Sequence, residues 1–283
     1  MSMITRDDHV HSSFSSDCTS PMEEQVRAAI AAGLTEITFT EHLDMDAPYT
    51  NVPAGEALDF RIDYDAYREE LNFLKVRYAD RIQIHMGLEL GLNASLSPAL
   101  EEYVRTHRFD YIIGSTHSCG GMDPYYDSFF EGRTAEQAFR AYFETALANV
   151  KTCPFFDSYG HLDYVLRYGP DKADGSDEQH TAEYYYALFG DLIDPILYEL
   201  ILNGKALELN TGALSRGFPE PNPCAAILRR YHDLGGVMVT VGSDAHTPEN
   251  IGAHMDTAAR ILHGCGFDSY YSFEERTPIR HPL

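Results

Sequence analysis

Thirteen histidines are spread along 283 residues, and eight positions of this chain bearing His or an acid fall into a pattern. His9 and His11 close the first apolar run, His42 follows the second, and Glu89 ends the third. His117 follows the fourth run, His161 stands near the end of the fifth, and Asp244 and His246 come just after the seventh. Residues two apart in extended backbone point to the same side, so His9 with His11 and Asp244 with His246 are expected to aim into one cavity. Neutral imidazoles converging with carboxylates are a ligand set for Zn²⁺, Mn²⁺ or Fe²⁺, and the absence of thiolates among them argues against a structural zinc site. The set exceeds what one ion needs, and two or three ions sharing a bridging Glu89 or Asp244 fit it better. The remaining histidines set the contrast. His107, His180, His232, His254 and His263 fall in helical patterns and His281 in the tail, where packing accounts for them. His85, four residues before Glu89, faces the same interior at a lower level and reads as a hydrogen-bonded core residue.

The elements that must position these residues alternate along the chain. Strands are predicted at Ile4–Val10, Glu36–Thr40, Ile82–Leu90, Tyr111–Thr116, Phe156–Leu162, Ala206–Asn210 and Gly236–Val241. Helices are predicted near 21–32, 64–79, 97–107, 134–150, 179–202, 222–234 and 249–264. Start signals support several of them: Pro21 in a first turn after Ser20, Ser97-Pro98, and Thr134 with Gln137 as a capping box. Strict alternation implies parallel strands, hence a doubly wound sheet or a barrel. No Gly-rich phosphate loop follows any strand, which weakens the nucleotide-binding sheet. In a barrel, functional side chains gather at the C-terminal ends of the strands, where the histidines fall. The non-periodic stretch 44–61, with Pro48, Pro53 and Gly55, reads as a lid or specificity loop, and Tyr168–Asp177 is a second irregular segment. No linker or composition shift divides the chain, so one domain over 1–283 is expected.

Composition excludes several partners. With 21 Lys+Arg against 44 Asp+Glu the formal charge is −23, and only 4 of the basic residues are lysines. Long-range repulsion then argues against non-specific binding to nucleic acid or an anionic membrane. A metal or arginine cluster inside a cleft can still attract an anionic substrate. The five cysteines form no C-x-x-C pair, which fits a reducing cytoplasm better than a disulfide framework. The first residues carry no apolar signal core, and no stretch approaches a membrane span, so a cytoplasmic protein is expected.

The motifs, taken together and in order, resemble those of the polymerase and histidinol phosphatase (PHP) superfamily, and within it the monofunctional histidinol-phosphate phosphatase family. The likeness runs almost end to end. His9-Val-His11-Ser-Ser-Phe is similar to the first PHP motif, with Asp17 at its third ligand position, and Thr40-Glu41-His42 to the second. Gly87-Leu88-Glu89, Gly114-Ser115-Thr116-His117, Gly160-His161-Leu162-Asp163 and Gly242-Ser243-Asp244-Ala245-His246 follow. The resemblance implies a distorted (β/α)7 barrel with a metal site at the C-terminal ends of the strands. It implies three divalent ions: one held by His9, His11, Glu89 and Asp244, a second by Glu89, His117 and His161, a third by Asp17, His42 and His246. The segments His161–Arg167 and Leu209–Arg216 resemble those that place two phosphate-clamping arginines, here Arg167 and Arg216, and a guanidinium fork suits a terminal phosphate.

The expected reaction is hydrolysis of L-histidinol phosphate to L-histidinol and phosphate, with divalent ions lowering the pKa of water and Arg167 and Arg216 neutralising phosphoryl oxygens. Asp244 or His246 is the candidate proton shuttle for the leaving alkoxide. Asp44, Asp46 and Tyr49, on the 44–61 loop, are candidates to receive the substrate's cationic end. A serine nucleophile is not supported, since no Gly-x-Ser-x-Gly occurs. The alternatives are a PHP phosphodiesterase or exonuclease acting on nucleotides, a phosphatase of another small phosphomonoester, or a non-enzymatic metal-binding domain. The first predicts a basic groove with stacking aromatics. The tyrosine runs at 125–126, 184–186 and 270–271 come without any lysine-rich segment.

Overall fold

The computed structural model describes residues 4–53 and 55–283. Residues 1–3 of the expected 1–283 domain and Ala54 of the 44–61 loop lie outside the described residues. Seven parallel strands follow one another round a single sheet in sequence order: β1 (Arg6–Val10), β2 (Glu36–Leu43), β3 (Gln83–Gly91), β4 (Tyr111–Ser115), β5 (Ser158–Tyr159), β6 (Ala206–Asn210) and β7 (Val239–Gly242). The sheet closes where β1 meets the chain leaving β7. The Asp244 N–H donates to the His9 carbonyl at 2.8 Å and the His11 N–H to the Ala245 carbonyl at 3.0 Å. That approach needs a glycine, because a Cβ on Gly242 would lie 2.2 Å from the Cβ of His9. The result is a nearly closed (β/α)7 barrel, as the resemblance implied. Strands covered by helices on one face and packed side chains on the other read as continuous apolar runs, which is why they were recognisable.

The main helices are α1 (Met22–Ala31), α2 (Tyr64–Arg77), α3 (Ser97–Thr106), α4 (Ala135–Thr152), α5 (Ala182–Leu202), α6 (Gly212–Ser215), α7 (Ala225–Asp233) and α8 (Met255–Cys265). The capping box of α4 forms, with the Gln137 N–H donating to Thr134 Oγ1 at 3.2 Å and the Thr134 N–H to Gln137 Oε1 at 2.9 Å. Its apolar residues Phe139, Tyr142, Phe143, Ala146 and Val150 recur at helical spacing and are buried. Pro21 stands at the N-cap of α1 rather than in its first turn.

Four expectations need correcting. The predicted 156–162 strand is only two residues long, because Gly160 packs its backbone against Ser115 and Ile113 and His161 takes a positive φ of 22°. The helix predicted at 179–202 starts at Ala182, where the Thr181 side chain caps it, leaving His180 outside. The helix predicted at 249–264 starts at Met255, after a short 3-10 turn at Pro248–Asn250 and His254 at φ 62°. The chain after residue 264, where no element is predicted, is ordered into strands. It forms an antiparallel hairpin, β8 (Ser269–Glu274) and β9 (Thr277–Pro282), turning on Glu275 and Arg276, both with positive φ. This hairpin closes the lower end of the barrel: Phe273 stacks on Tyr111 at 5.4 Å, and Arg276 pairs with Asp157.

Candidate active site

The upper ends of the strands deliver the expected histidines and acids to one point. Glu89, fully buried near the end of β3, is the hub. Its Oε2 lies 3.1 Å from His9 Nε2, 3.3 Å from His11 Nε2 and 3.1 Å from His42 Nδ1. Its Oε1 lies 3.0 Å from His117 Nε2 and 2.8 Å from His161 Nε2. Asp244 Oδ1 is 3.7 Å from His9 Nε2 and 3.6 Å from His11 Nε2. Asp17, reached from the loop after β1, puts Oδ2 between His42 Nε2 at 3.5 Å and His246 Nε2 at 3.3 Å. All nine expected ligand side chains therefore belong to one cluster.

The pairs arrive differently from plain strand alternation. A register shift between Asp7 and Val10 interrupts the pairing of β1 with β2. It lets Arg6 and Asp8 occupy the lower interior while His9 and His11 occupy the upper. Asp244 sits at φ 56°, so a left-handed kink, not extended backbone, brings Asp244 and His246 together.

Hydrogen bonds on the outer ring nitrogens decide which nitrogen faces the cluster. His9 Nδ1 donates to Glu208 Oε1 at 2.5 Å, and His117 Nδ1 donates to Asp44 Oδ1 at 2.9 Å. The Ser15 hydroxyl gives its proton to Glu41 Oε2 at 2.6 Å, so it accepts from His11 Nδ1 at 3.1 Å. His246 Nδ1 donates to the Asp244 carbonyl at 3.0 Å. The assignments follow from the partners being acceptors. In their neutral forms His9, His11, His117 and His246 would point bare Nε2 lone pairs at each other and at carboxylate oxygens. His9 Nε2 and His11 Nε2 are only 3.1 Å apart. Lone pair against lone pair at that distance is repulsive unless a proton or a cation lies between them. His161 Nδ1 is buried with no partner among the described residues. Divalent cations fit this donor set, and carboxylate-backed imidazoles are the usual form of metal-ligating histidine.

The electrostatics agree. Burial raises the carboxyl of Glu89, but the charges of His9, His42 and His117 take it well below the usual carboxylate range. Asp244 and Asp17 are held low in the same way, against burial, the former chiefly by His9 and the latter by His42. Burial lowers the imidazoles, and it wins at His11, brought down to about 3 with help from His246 and His42. At His9 the charges of Glu208, Glu89 and Asp244 overcome burial and raise it, as Asp17 raises His42 to about 9. A field that draws protons onto buried imidazoles is one that a divalent cation would answer, and the two compete for the same lone pairs.

The cluster floors a cavity of about 490 Å³, whose basic lining residues are Arg167 and Arg216. Arg167 lies on a 3-10 turn at Tyr164–Arg167 and is buried. It donates to Asn222 Oδ1 at 2.6 Å, Asn210 Oδ1 at 3.0 Å and Asp244 Oδ2 at 3.4 Å. Arg216, just after α6, is exposed, with Nη1 3.4 Å from the Tyr168 hydroxyl. Both acids expected to receive a cationic substrate group are committed elsewhere. Asp44 orients His117, and Asp46 accepts from Ser118 Oγ at 2.5 Å and Asn93 Nδ2 at 3.0 Å. Tyr49 does line the cavity. Sequence reasoning missed Glu208, Asn210 and Asn222. Glu208 Oε1 takes His9 Nδ1 while Oε2 accepts the His161 N–H at 2.9 Å and Asn210 Nδ2 at 3.2 Å, so one carboxylate ties together two of the ligand-bearing strands' ends. Its one signal was an acid inside an apolar strand.

A sequence profile of the PHP domain family matches residues 7–212. A probable histidinol-phosphatase of Clostridium acetobutylicum is 30% identical over 270 residues, 95% of this chain and 97% of its own. The histidinol-phosphatase of Lactococcus lactis is 32% identical over 273 residues, 94% of this chain and 93% of that one. A crystal structure of histidinol phosphate phosphatase from L. lactis, complexed with zinc, L-histidinol and phosphate, is similar with a TM-score of 0.84 at 30% identity. The match covers 98% of this chain and 100% of that one.

Proposed function

The chain belongs to the PHP domain family, and from that premise we infer that it is a histidinol-phosphatase, a hydrolase turning L-histidinol phosphate and water into L-histidinol and phosphate. The observation that carries this reading is the ring of imidazoles round Glu89, in which His9, His11 and His117 have their outer nitrogens held by acceptors and turn their Nε2 atoms onto that carboxylate. Three divalent ions are proposed, zinc, manganese or iron. His9, His11, Glu89 and Asp244 would hold one, Glu89, His117 and His161 a second, and Asp17, His42 and His246 a third. Zinc is favoured by the ion named in the related L. lactis complex. Such ions, when bound, lower the pKa of water and polarise phosphoryl oxygens.

The chain's own residues do the rest. Arg167, pinned by Asn210 and Asn222, presents its remaining N–H groups to the phosphate without first having to be ordered. Arg216 adds a second guanidinium from the exposed rim. Asp244 or His246 delivers the proton to the leaving oxygen; both are also proposed ligands. The small, walled cavity and its two lone arginines support a small phosphomonoester over a nucleic acid, whose backbone calls for an extended basic groove. One domain over 1–283 and a cytoplasmic setting remain part of the reading. Among the described residues no helix is long and apolar enough to cross a membrane.

The test is phosphate release from histidinol phosphate, measured beside a nucleotide phosphodiester. Turnover of the first alone is expected, and turnover of the diester alone overturns the substrate assignment. Arg216→Ala should raise KM roughly tenfold while leaving metal content unchanged.

A further inference from the structure

The arginines account for one end of the cavity and leave the other end to explain. There the lining comes from Asp123, Tyr125 and Tyr126, on the loop after β4, together with Tyr49 and Glu56 of the 44–61 loop. Asp123 fastens the two loops to each other. Its N–H donates to Asn51 Oδ1 at 2.9 Å and its carbonyl accepts from Asn51 Nδ2 at 2.9 Å. Its carboxylate is used on one side only. Oδ1 accepts the Tyr125 N–H at 2.8 Å and lies 3.4 Å from the Tyr164 hydroxyl, while Oδ2 accepts no hydrogen bond among the described residues. Burial pushes this carboxyl up to about 6, against the Tyr125 N–H and the charge of His117, with the nearby charge of Asp44 pushing further upward. An ionised carboxylate in that position lacks a cation.

Tyr164 joins the two ends. The Arg167 guanidinium lies over its ring at 5.4 Å from the centroid, and its hydroxyl reaches Asp123. Tyr168, which holds Arg216, packs against the same ring at 4.9 Å. Groups suited to a phosphate and a carboxylate short of a cation thus flank one tyrosine. A ligand that matches both has an anionic end and a cationic end a few bonds apart.

We propose that Asp123 is the specificity-determining residue of this cavity, its Oδ2 receiving the protonated amine of a substrate whose phosphate lies at Arg167 and Arg216. Tyr125 and Tyr126, whose rings meet edge to face at 5.1 Å, supply aromatic surface beside that ammonium group. The assignment rests on reading the site as a phosphatase of histidinol phosphate. It replaces Asp44 and Asp46, whose carboxylates serve His117 and Ser118.

Asp123→Asn keeps an acceptor for the Tyr125 N–H and removes the charge. With histidinol phosphate, kcat/KM should fall about 30-fold, mostly through KM, as for loss of a charged hydrogen bond. With p-nitrophenyl phosphate, which has no amine, it should stay within about twofold. Inhibition by L-histidinol should weaken in step with the KM, and inhibition by inorganic phosphate should not change. Asp123→Glu should recover part of the preference. Equal losses on both esters mean that Asp123 only shapes its turn, and no loss on either means that nothing binds there; both overturn the proposal. A wild-type enzyme that turns over p-nitrophenyl phosphate but ignores histidinol phosphate defeats the substrate reading and the proposal with it. A wild-type preference that survives in Asp123→Asn defeats the proposal alone.

Discussion

At the lower end of the barrel, Asp8, Glu36 and His85 are gathered round Arg6; at the upper end, Glu89, Asp244, Asp17, Glu208 and Asp44 are gathered round six imidazoles. The same strands build both, since β1, β2 and β3 supply Arg6, Glu36 and His85 below and His9, His42 and Glu89 above. Below, the charges answer each other. Arg6 donates to Asp8 Oδ2 at 2.8 Å and pairs with Glu36 at 2.9 Å, His85 Nε2 reaches Glu36 at 3.1 Å, and Thr38 donates to Asp8 Oδ1 at 2.7 Å. The hairpin seals this end, with His281 stacked on Tyr270 at 5.0 Å. Above, five carboxylates share one buried guanidinium, Arg167, which touches only Asp244 among them. The carboxylates above outnumber the protein's own buried guanidinium five to one, and with the converging imidazoles that excess suits bound ions, whereas the lower cluster is structure.

The largest effect should come from breaking the upper hub. Glu89→Gln, nearly isosteric, should cut kcat/KM at least about 10³-fold and lower metal content, with the circular dichroism of the fold retained. Retained metal would show that the hub is not a bridge. At the lower end the counterpart is Arg6→Met, which strands Asp8 and Glu36 in the interior. Chemical denaturation should show a loss of about 3–5 kcal/mol, while metal bound per folded chain and KM stay as they were. A loss of metal in that variant would erase the distinction between the two ends. Between them in size comes nothing, and below them comes Glu208→Gln. Its amide offers an N–H where the His161 N–H needs an acceptor, so metal affinity should fall about 10–100-fold in a competition titration with a chelating dye.

The two ends also differ in how legible they were. Apart from Asp17, the candidate ligands of the upper end stand at strand ends, where residue type and position carry the signal, and His85 is, as expected, a hydrogen-bonded residue lower down. Asp17, in a serine-rich loop, was reached through the resemblance; the loop turns it back onto His42 and His246. The residues that hold the clustered side chains in place are not legible, because Glu208 reaches His9 from 199 residues away and Asn222 reaches Arg167 from 55, and no local spacing reports such contacts. Asp44 reads as a candidate substrate contact because it opens a long loop, whereas its carboxylate turns inward to His117. The lower closure was missed for a different reason. A two-residue hairpin turn usually announces itself with Asn or Gly, and here Glu275 and Arg276 adopt the left-handed conformation instead.

The most direct measurement is a metal titration of the stripped protein, with phosphate release from histidinol phosphate followed at each addition. Activity should be absent in the chelator-treated chain, return with zinc, manganese or iron, and saturate near three ions per chain, with far-ultraviolet circular dichroism unchanged throughout. Full phosphate release by the stripped protein would contradict the role given to the convergent imidazoles, and so would full occupancy without turnover.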